Sequence, residues 1–293
     1  MAESNSPAPF STHGIDGLEV REYDAPVVAQ PAVFLHGGPG LYGYMPSLCE
    51  SLTACCRCIY YEQRGSKQGR CDVDVEDHVQ DLRRVLDHFT GDTRPVVVGH
   101  SWGAMLAVWV AGTYPELMDK VVLVGCGPLN AKQGQEFQVE LVARFGDRRA
   151  YFDGLWTTLE TERDPGRQQR LADEYIEAMM PIYQMDPVSG QEIQPRRWDF
   201  QGGYTAMCES DEMVSQNLYE SALSKITAPL TVIQGQFDVL SPEALFSLAR
   251  TRAPQARTFS IAGAGHYPWA GSGREVFLEL LKDELSPQIS GIR

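Results

Sequence analysis

No stretch of the 293-residue sequence approaches the roughly 20 consecutive apolar side chains that a membrane-spanning helix requires. Residues 1–14 are polar, contain several Ser and Pro, and lack the apolar centre of an export signal, so a disordered leader and a cytoplasmic location are expected. Basic charge is scarce as well. Twenty-five Lys and Arg stand against 39 Asp and Glu, a net charge of -14, and the basic residues form no stripe. Phosphate backbones and anionic membrane surfaces are repelled by such a chain, so neither nucleic acid nor membrane is an expected partner. Cysteine pairs at metal-ligand spacing are missing too. Of seven cysteines, Cys55, Cys56 and Cys58 crowd together, but Cys58 opens an apolar run and no second Cys or His pair accompanies them. Free thiols are therefore expected, with no metal and no other cofactor.

Internal repeats and low-complexity tracts are absent beyond the leader, and 43% of the residues are apolar, enough for one large core with an insertion. Strand and helix signals alternate: strands at 31–35, 58–61, 95–98 and 121–124, with helices near 46–54, at 75–89 and at 102–113. Val75, Val79, Leu82, Val85, Leu86 and Phe89 recur at three and four, the spacing of one buried helical stripe. Strand 18–23 is expected at the N-terminal edge. The pattern predicts an α/β fold, a mostly parallel sheet with helices on both faces. Between 127 and 225 the alternation stops. Long polar helical stretches and ten aromatic residues from Phe137 to Tyr204 take its place, with a loop expected at 186–194. This reads as a helical cap (lid) inserted between two segments of core, 15–126 and 226–293. The core resumes with strands 230–234 and 258–261 and helices 242–252 and 273–285.

Four loops carry chemistry. Gly99-His100-Ser101-Trp102-Gly103 is a G-x-S-x-G elbow between a buried strand and a helix, a sharp turn that lifts the serine hydroxyl out of the sheet. His36-Gly37-Gly38-Pro39-Gly40 follows the strand at 31–35, and such a loop leaves backbone N–H groups facing a ligand. Gly38 and Trp102 are the expected oxyanion-hole donors, each able to stabilise a developing oxyanion by roughly 3 to 4 kcal/mol. A nucleophilic serine needs a base. His266, in Gly265-His266-Tyr267-Pro268 beyond strand 258–261, is the histidine that the turns and helices leave available. The base needs a carboxylate to fix its tautomer, and Asp238, just past strand 230–234, supplies one. The expected chemistry is hydrolysis of a small ester or amide through an acyl-enzyme.

Together, His36 to Gly40, Glu62-Gln63-Arg64-Gly65, Gly99 to Gly103, Gly235 to Asp238 and Gly265-His266 resemble the proline iminopeptidase branch of the α/β-hydrolase superfamily over nearly the whole chain. The resemblance implies a serine peptidase-like enzyme with the triad in the order Ser101, Asp238, His266. It also implies recognition of a substrate amine by cap carboxylates, one of them beside a tryptophan. Here Trp198-Asp199 is the nearest such pair, with Glu209, Asp211 and Glu212 following. The branch usually has Asp at the position of Glu62 and Gly at that of His100. Carboxylesterase, amidase, lactonase and carbon-carbon bond hydrolase activities use the same triad, and a non-catalytic binding protein on this fold is the alternative of another class.

Overall fold

A computed structural model describes residues 9–25, 30–65, 72–91, 93–185, 193 and 197–286. Its centre is an eight-stranded sheet in the order β1-β2-β5-β3-β6-β7-β9-β10. The strands are β1 (Phe10–Ile15), β2 (Leu18–Tyr23), β3 (Pro31–Leu35), β5 (Arg57–Tyr61), β6 (Val96–His100), β7 (Lys120–Val124), β9 (Leu230–Gly235) and β10 (Arg257–Ile261). From β5 to β10 neighbouring strands are parallel, and β1 and β2 add an antiparallel edge. Two further strands, β4 (Leu41–Tyr42) and β8 (Arg197–Trp198), pair antiparallel as a separate ribbon.

Period-two alternation divides the sheet between two cores. Val33, Leu35, Val97, Val121 and Leu123 face one side, where α2 (Val75–Phe89), α3 (Trp102–Thr113) and α9 (Pro242–Arg252) cover them. Ala32, Phe34, Val96, Val98, Val122 and Val124 face the other, under α1 (Pro46–Glu50) and α10 (Arg274–Leu285). The 75–89 stripe is fully buried, and Asp74 opens α2 with a reciprocal capping box to Asp77, a device worth about 1 kcal/mol. The expected mostly parallel α/β sheet is the observed one.

Two boundaries differ from expectation. Phe10–Ile15, five residues of which fall in the expected 1–14 leader, is a strand: Asp16-Gly17, both at positive φ, turn the chain so that Phe10 faces Tyr23 and Ile15 faces Leu18. Ile15 alone is buried, Phe10 is exposed and the four residues between are Ser, Thr, His and Gly, so it lacks the apolar alternation that marks a strand. Residues 1–8 of that expected leader, and all of the expected 186–194 loop but Ile193, lie outside the described residues. The segment expected to form a cap holds the helices α4 (Ala131–Phe145), α5 (Arg149–Thr161), α6 (Pro165–Gln184) and α7 (Phe200–Ser215). The next helix, α8 (Leu218–Leu223), lies against α3 instead: Tyr219, Ala222 and Leu223 join the core of that face, and a methyl group on Gly112 would stand 2.3 Å from the Ala222 carbonyl oxygen. Among the described residues no helix is long and apolar enough to cross a membrane.

Candidate active site

Four loops at the carboxyl ends of the central strands converge on Ser101. The serine sits at φ 56° and ψ -121°, a strained conformation for a residue with a side chain, between β6 and the first turn of α3. The elbow is possible because its glycines let backbone touch backbone. A methyl group at Gly99 would stand 2.3 Å from the Gly103 carbonyl oxygen, and one at Gly103 would stand 2.5 Å from that of Leu35.

His266 comes from the loop after β10 and Asp238 from the loop after β9. His266 Nε2 is 2.9 Å from Ser101 Oγ, and His266 Nδ1 is 3.0 Å from both carboxylate oxygens of Asp238. A carboxylate accepts, so Nδ1 carries the proton and Nε2 is left to accept from the serine hydroxyl. Asp238 is almost wholly buried, and two more donors hold it: Val239 N–H at 2.6 Å and Gln234 Nε2 at 2.9 Å. Gln234 is itself fixed, accepting from Cys126 N–H and donating to the Leu240 carbonyl. Its sequence signal is slight: a lone amide at the end of a β-branched strand.

The loop at 36–40 lies against Ser101: a methyl group on Gly37 would stand 2.8 Å from Ser101 Cβ. His36 spans this loop, donating from Nδ1 to the Gly37 carbonyl at 2.8 Å while Nε2 accepts from Gln63 N–H at 2.9 Å. The backbone N–H groups of Gly38 and Trp102 have no hydrogen-bond partner among the described residues. The second lies at the N-terminus of α3, where unpaired N–H groups and the helix dipole favour negative charge. The Trp102 indole turns away into the core against His78, ring centroids 4.8 Å apart.

Tyr44 and His100 link these loops. The Tyr44 hydroxyl accepts from Gly37 N–H and donates to His100 Nδ1 at 2.8 Å, and His100 Nε2 donates to the His266 carbonyl at 3.0 Å. Donor and acceptor match at every link only if His100 is neutral. Burial, and then the neighbouring His266, hold its pKa well below the usual imidazole range, and burial likewise lowers that of His78 to about 3. The unfolded chain binds protons at both positions below about pH 6.5 and the folded chain does not, so stability rises with pH up to that value. Each of the two is expected to cost about 1.4 kcal/mol of stability per pH unit of acidification below 6.5, down to its folded value. Urea unfolding at pH 7.5 and 5.5 checks this. Equal or greater stability at pH 5.5 contradicts two neutral buried imidazoles.

The segment between β7 and β9 reaches the same loops. Trp198, on β8, is buried and donates from Nε1 to the Pro39 carbonyl at 3.0 Å, while Asp199 N–H bonds the Gly40 carbonyl at 3.0 Å. The expected cap carboxylates are engaged elsewhere. Asp199 caps α7, accepting from Gly202 N–H at 2.9 Å, and lines a cavity of ≈ 240 Å³ with Tyr42, Gln168 and Gln169 that includes no triad residue. Glu209 accepts from Val75 N–H at 2.9 Å at the start of α2, Glu212 bonds Gln216 Nε2 at 2.8 Å on the exposed face of α7, and Asp211 is exposed beside it. Arg64 forks onto Asp81 of α2, holding the turn after β5.

Residues 30–269 match the α/β-hydrolase fold family. The chain is 24% identical over 265 residues to "Putative carbamate hydrolase RutD" of Cronobacter turicensis, covering 85% of this chain and 89% of that protein. It is 23% identical over 281 residues to "Probable proline iminopeptidase" of Leptolyngbya boryana, covering 81% of each. The solved E-2-(acetamidomethylene)succinate hydrolase superposes with a TM-score of 0.65 at 20% identity, covering 94% of this chain and 98% of that one. A match spanning most of the sequence, on a sheet of this order with its loops gathered at the strand ends, places the chain in the α/β-hydrolase family.

Proposed function

We propose that this chain is a serine hydrolase that cleaves a small, uncharged ester or amide through an acyl-enzyme. The observation that carries the reading is the unbroken chain from Ser101 Oγ to His266 Nε2 at 2.9 Å and from His266 Nδ1 to Asp238 at 3.0 Å. Ser101 Oγ attacks the substrate carbonyl carbon as its proton passes to His266 Nε2. The carbonyl electron pair moves onto oxygen, which Gly38 and Trp102 N–H groups receive. The tetrahedral adduct then expels the leaving group, protonated by His266, and a water molecule repeats the sequence to release the acid and restore Ser101. Asp238 stabilises the transient imidazolium without taking its proton.

The acyl group is uncharged on this reading because Asp199, Glu209 and Glu212 are already bonded to backbone or side-chain donors. A substrate ammonium buried without a carboxylate is costly. A relative named as a proline iminopeptidase favours the second reading, an aminopeptidase that recognises a free amine. Reaction with a fluorophosphonate, followed by mapping of the modified residue, is expected to label Ser101. An unlabelled protein would sink the serine mechanism and return the fold to a binding role. Comparison of kcat/KM for a prolyl arylamide, its N-acetyl form and a short acyl ester separates the two readings. The ester or the acetylated amide is expected to be preferred at least tenfold. If the free amine is preferred, and Asp199→Asn, Glu209→Gln or Glu212→Gln removes that preference, the aminopeptidase reading replaces this one.

A further inference from the structure

We propose that Arg144, a cap residue, is a positioning residue for the triad: from α4 it fixes the loop carrying Asp238 to the end of α6 that holds His266. The proposal rests on the serine-hydrolase reading above. Arg144 stands in the last turn of α4, and only 9% of its side chain is exposed. Its Nη1 donates to the carbonyl oxygens of Ile182 at 3.1 Å and Phe237 at 2.9 Å, and its Nη2 to that of Asp238 at 2.9 Å. Its Nε pairs with Glu140 at 2.7 Å. One planar fork thus serves three backbone carbonyls, two of them in the acid loop and the third in the cap.

The third carbonyl matters because the residues following Ile182 grip the base loop. The Tyr183 carbonyl accepts His266 N–H at 3.0 Å, and the Tyr183 ring stacks on the imidazole with centroids 4.8 Å apart. Gln184 both accepts from Tyr267 N–H at 2.8 Å and donates to the Tyr267 carbonyl at 3.3 Å. Acid and base therefore arrive on separate loops of the core, and a single cap side chain bonds the first loop and the segment that holds the second. The i,i+4 pair with Glu140 engages only Nε and leaves both Nη groups unexplained; burial with four donors occupied is the geometry of a clamp. A lysine in its place has one nitrogen, which cannot span three carbonyls and Glu140 together.

The test compares wild type with Arg144→Met and Arg144→Lys. Three readouts are taken: steady-state kinetics on the best ester found, the rate of fluorophosphonate labelling, and the low-field proton resonance of the His266 Nδ1–H···Asp238 hydrogen bond. Both variants are expected to lose 10- to 100-fold in kcat and in labelling rate. KM is expected to change less than threefold, and the low-field resonance to weaken or broaden while circular dichroism is unchanged. Should Arg144→Met fail to fold, Arg144→Lys, which keeps the charge and most of the volume, carries the comparison. A folded variant that labels at the wild-type rate and retains the resonance overturns the clamp. A wild-type protein that shows the resonance but is never labelled counts against the serine mechanism instead, and the clamp is then judged on the resonance alone.

Discussion

Ser101→Ala and His266→Ala are each expected to lower kcat on the order of 10⁵- to 10⁶-fold, and the double variant to be no worse than either single one. The reason is that neither residue acts alone. In the proposed mechanism Ser101 is a weak nucleophile until its proton has a destination, and His266 Nε2, 2.9 Å away, provides it. Remove the acceptor and the hydroxyl is inert; remove the hydroxyl and the imidazole has nothing to activate. What survives is the oxyanion hole and substrate binding, which together retain roughly 10³- to 10⁴-fold over water. Stability should change little on loss of the serine hydroxyl, which bonds His266 alone among the described residues. His266→Ala leaves the backbone carbonyl that accepts from His100 and the N–H that donates to Tyr183. Rate assays with circular dichroism check both variants. A folded variant of either kind with near-normal kcat removes that residue from the mechanism.

The three side chains that the structure joins in one hydrogen-bonded chain were legible because each is announced by local residues: a glycine-flanked serine, an acid just past a β-branched strand, a histidine among small residues. The side chains that pack around them were not. Tyr44 meets His100 across 56 positions, Gln234 meets Cys126 across 108, and Arg144 meets the Asp238 carbonyl across 94. No periodicity or motif encodes contacts made by folding alone. The cap carboxylates are a different case, since a signal was present. Asp199 stands immediately before a helix, and its carboxylate accepts from the backbone N–H three residues ahead, the ordinary N-cap position; the adjacent tryptophan gives the same residue the look of a substrate-binding pair. The parallel strands were plain in the sequence because burial on both faces makes them continuously apolar. Strand β1, with a single buried residue, had no such mark.

Asp238→Asn is expected to lower kcat about 10⁴-fold and, unlike Ser101→Ala, to cost stability as well. The carboxylate receives donors on both oxygens: Val239 N–H on Oδ1, Gln234 Nε2 on Oδ2, and His266 Nδ1–H within 3.0 Å of each. An amide offers one acceptor and one donor. With its nitrogen at the Oδ2 position it confronts Gln234 Nε2; with its nitrogen at Oδ1 it confronts Val239 N–H. Gln234 cannot turn over to relieve the conflict, because its Oε1 accepts from Cys126 N–H at 3.0 Å and its Nε2 also donates to the Leu240 carbonyl at 3.1 Å. Either orientation leaves a buried donor unmet, a loss of about 1 to 3 kcal/mol. The amide nitrogen also favours the imidazole tautomer with Nδ1 unprotonated, which places the Nε2 proton against Ser101 Oγ and leaves nothing to accept the serine proton. Unfolding in urea and kcat measured on the same preparation separate the two effects. A variant with near-normal kcat would mean that another carboxylate orients His266, and one with lost activity but unchanged stability would mean that the Gln234 and Val239 donors do not constrain this acid.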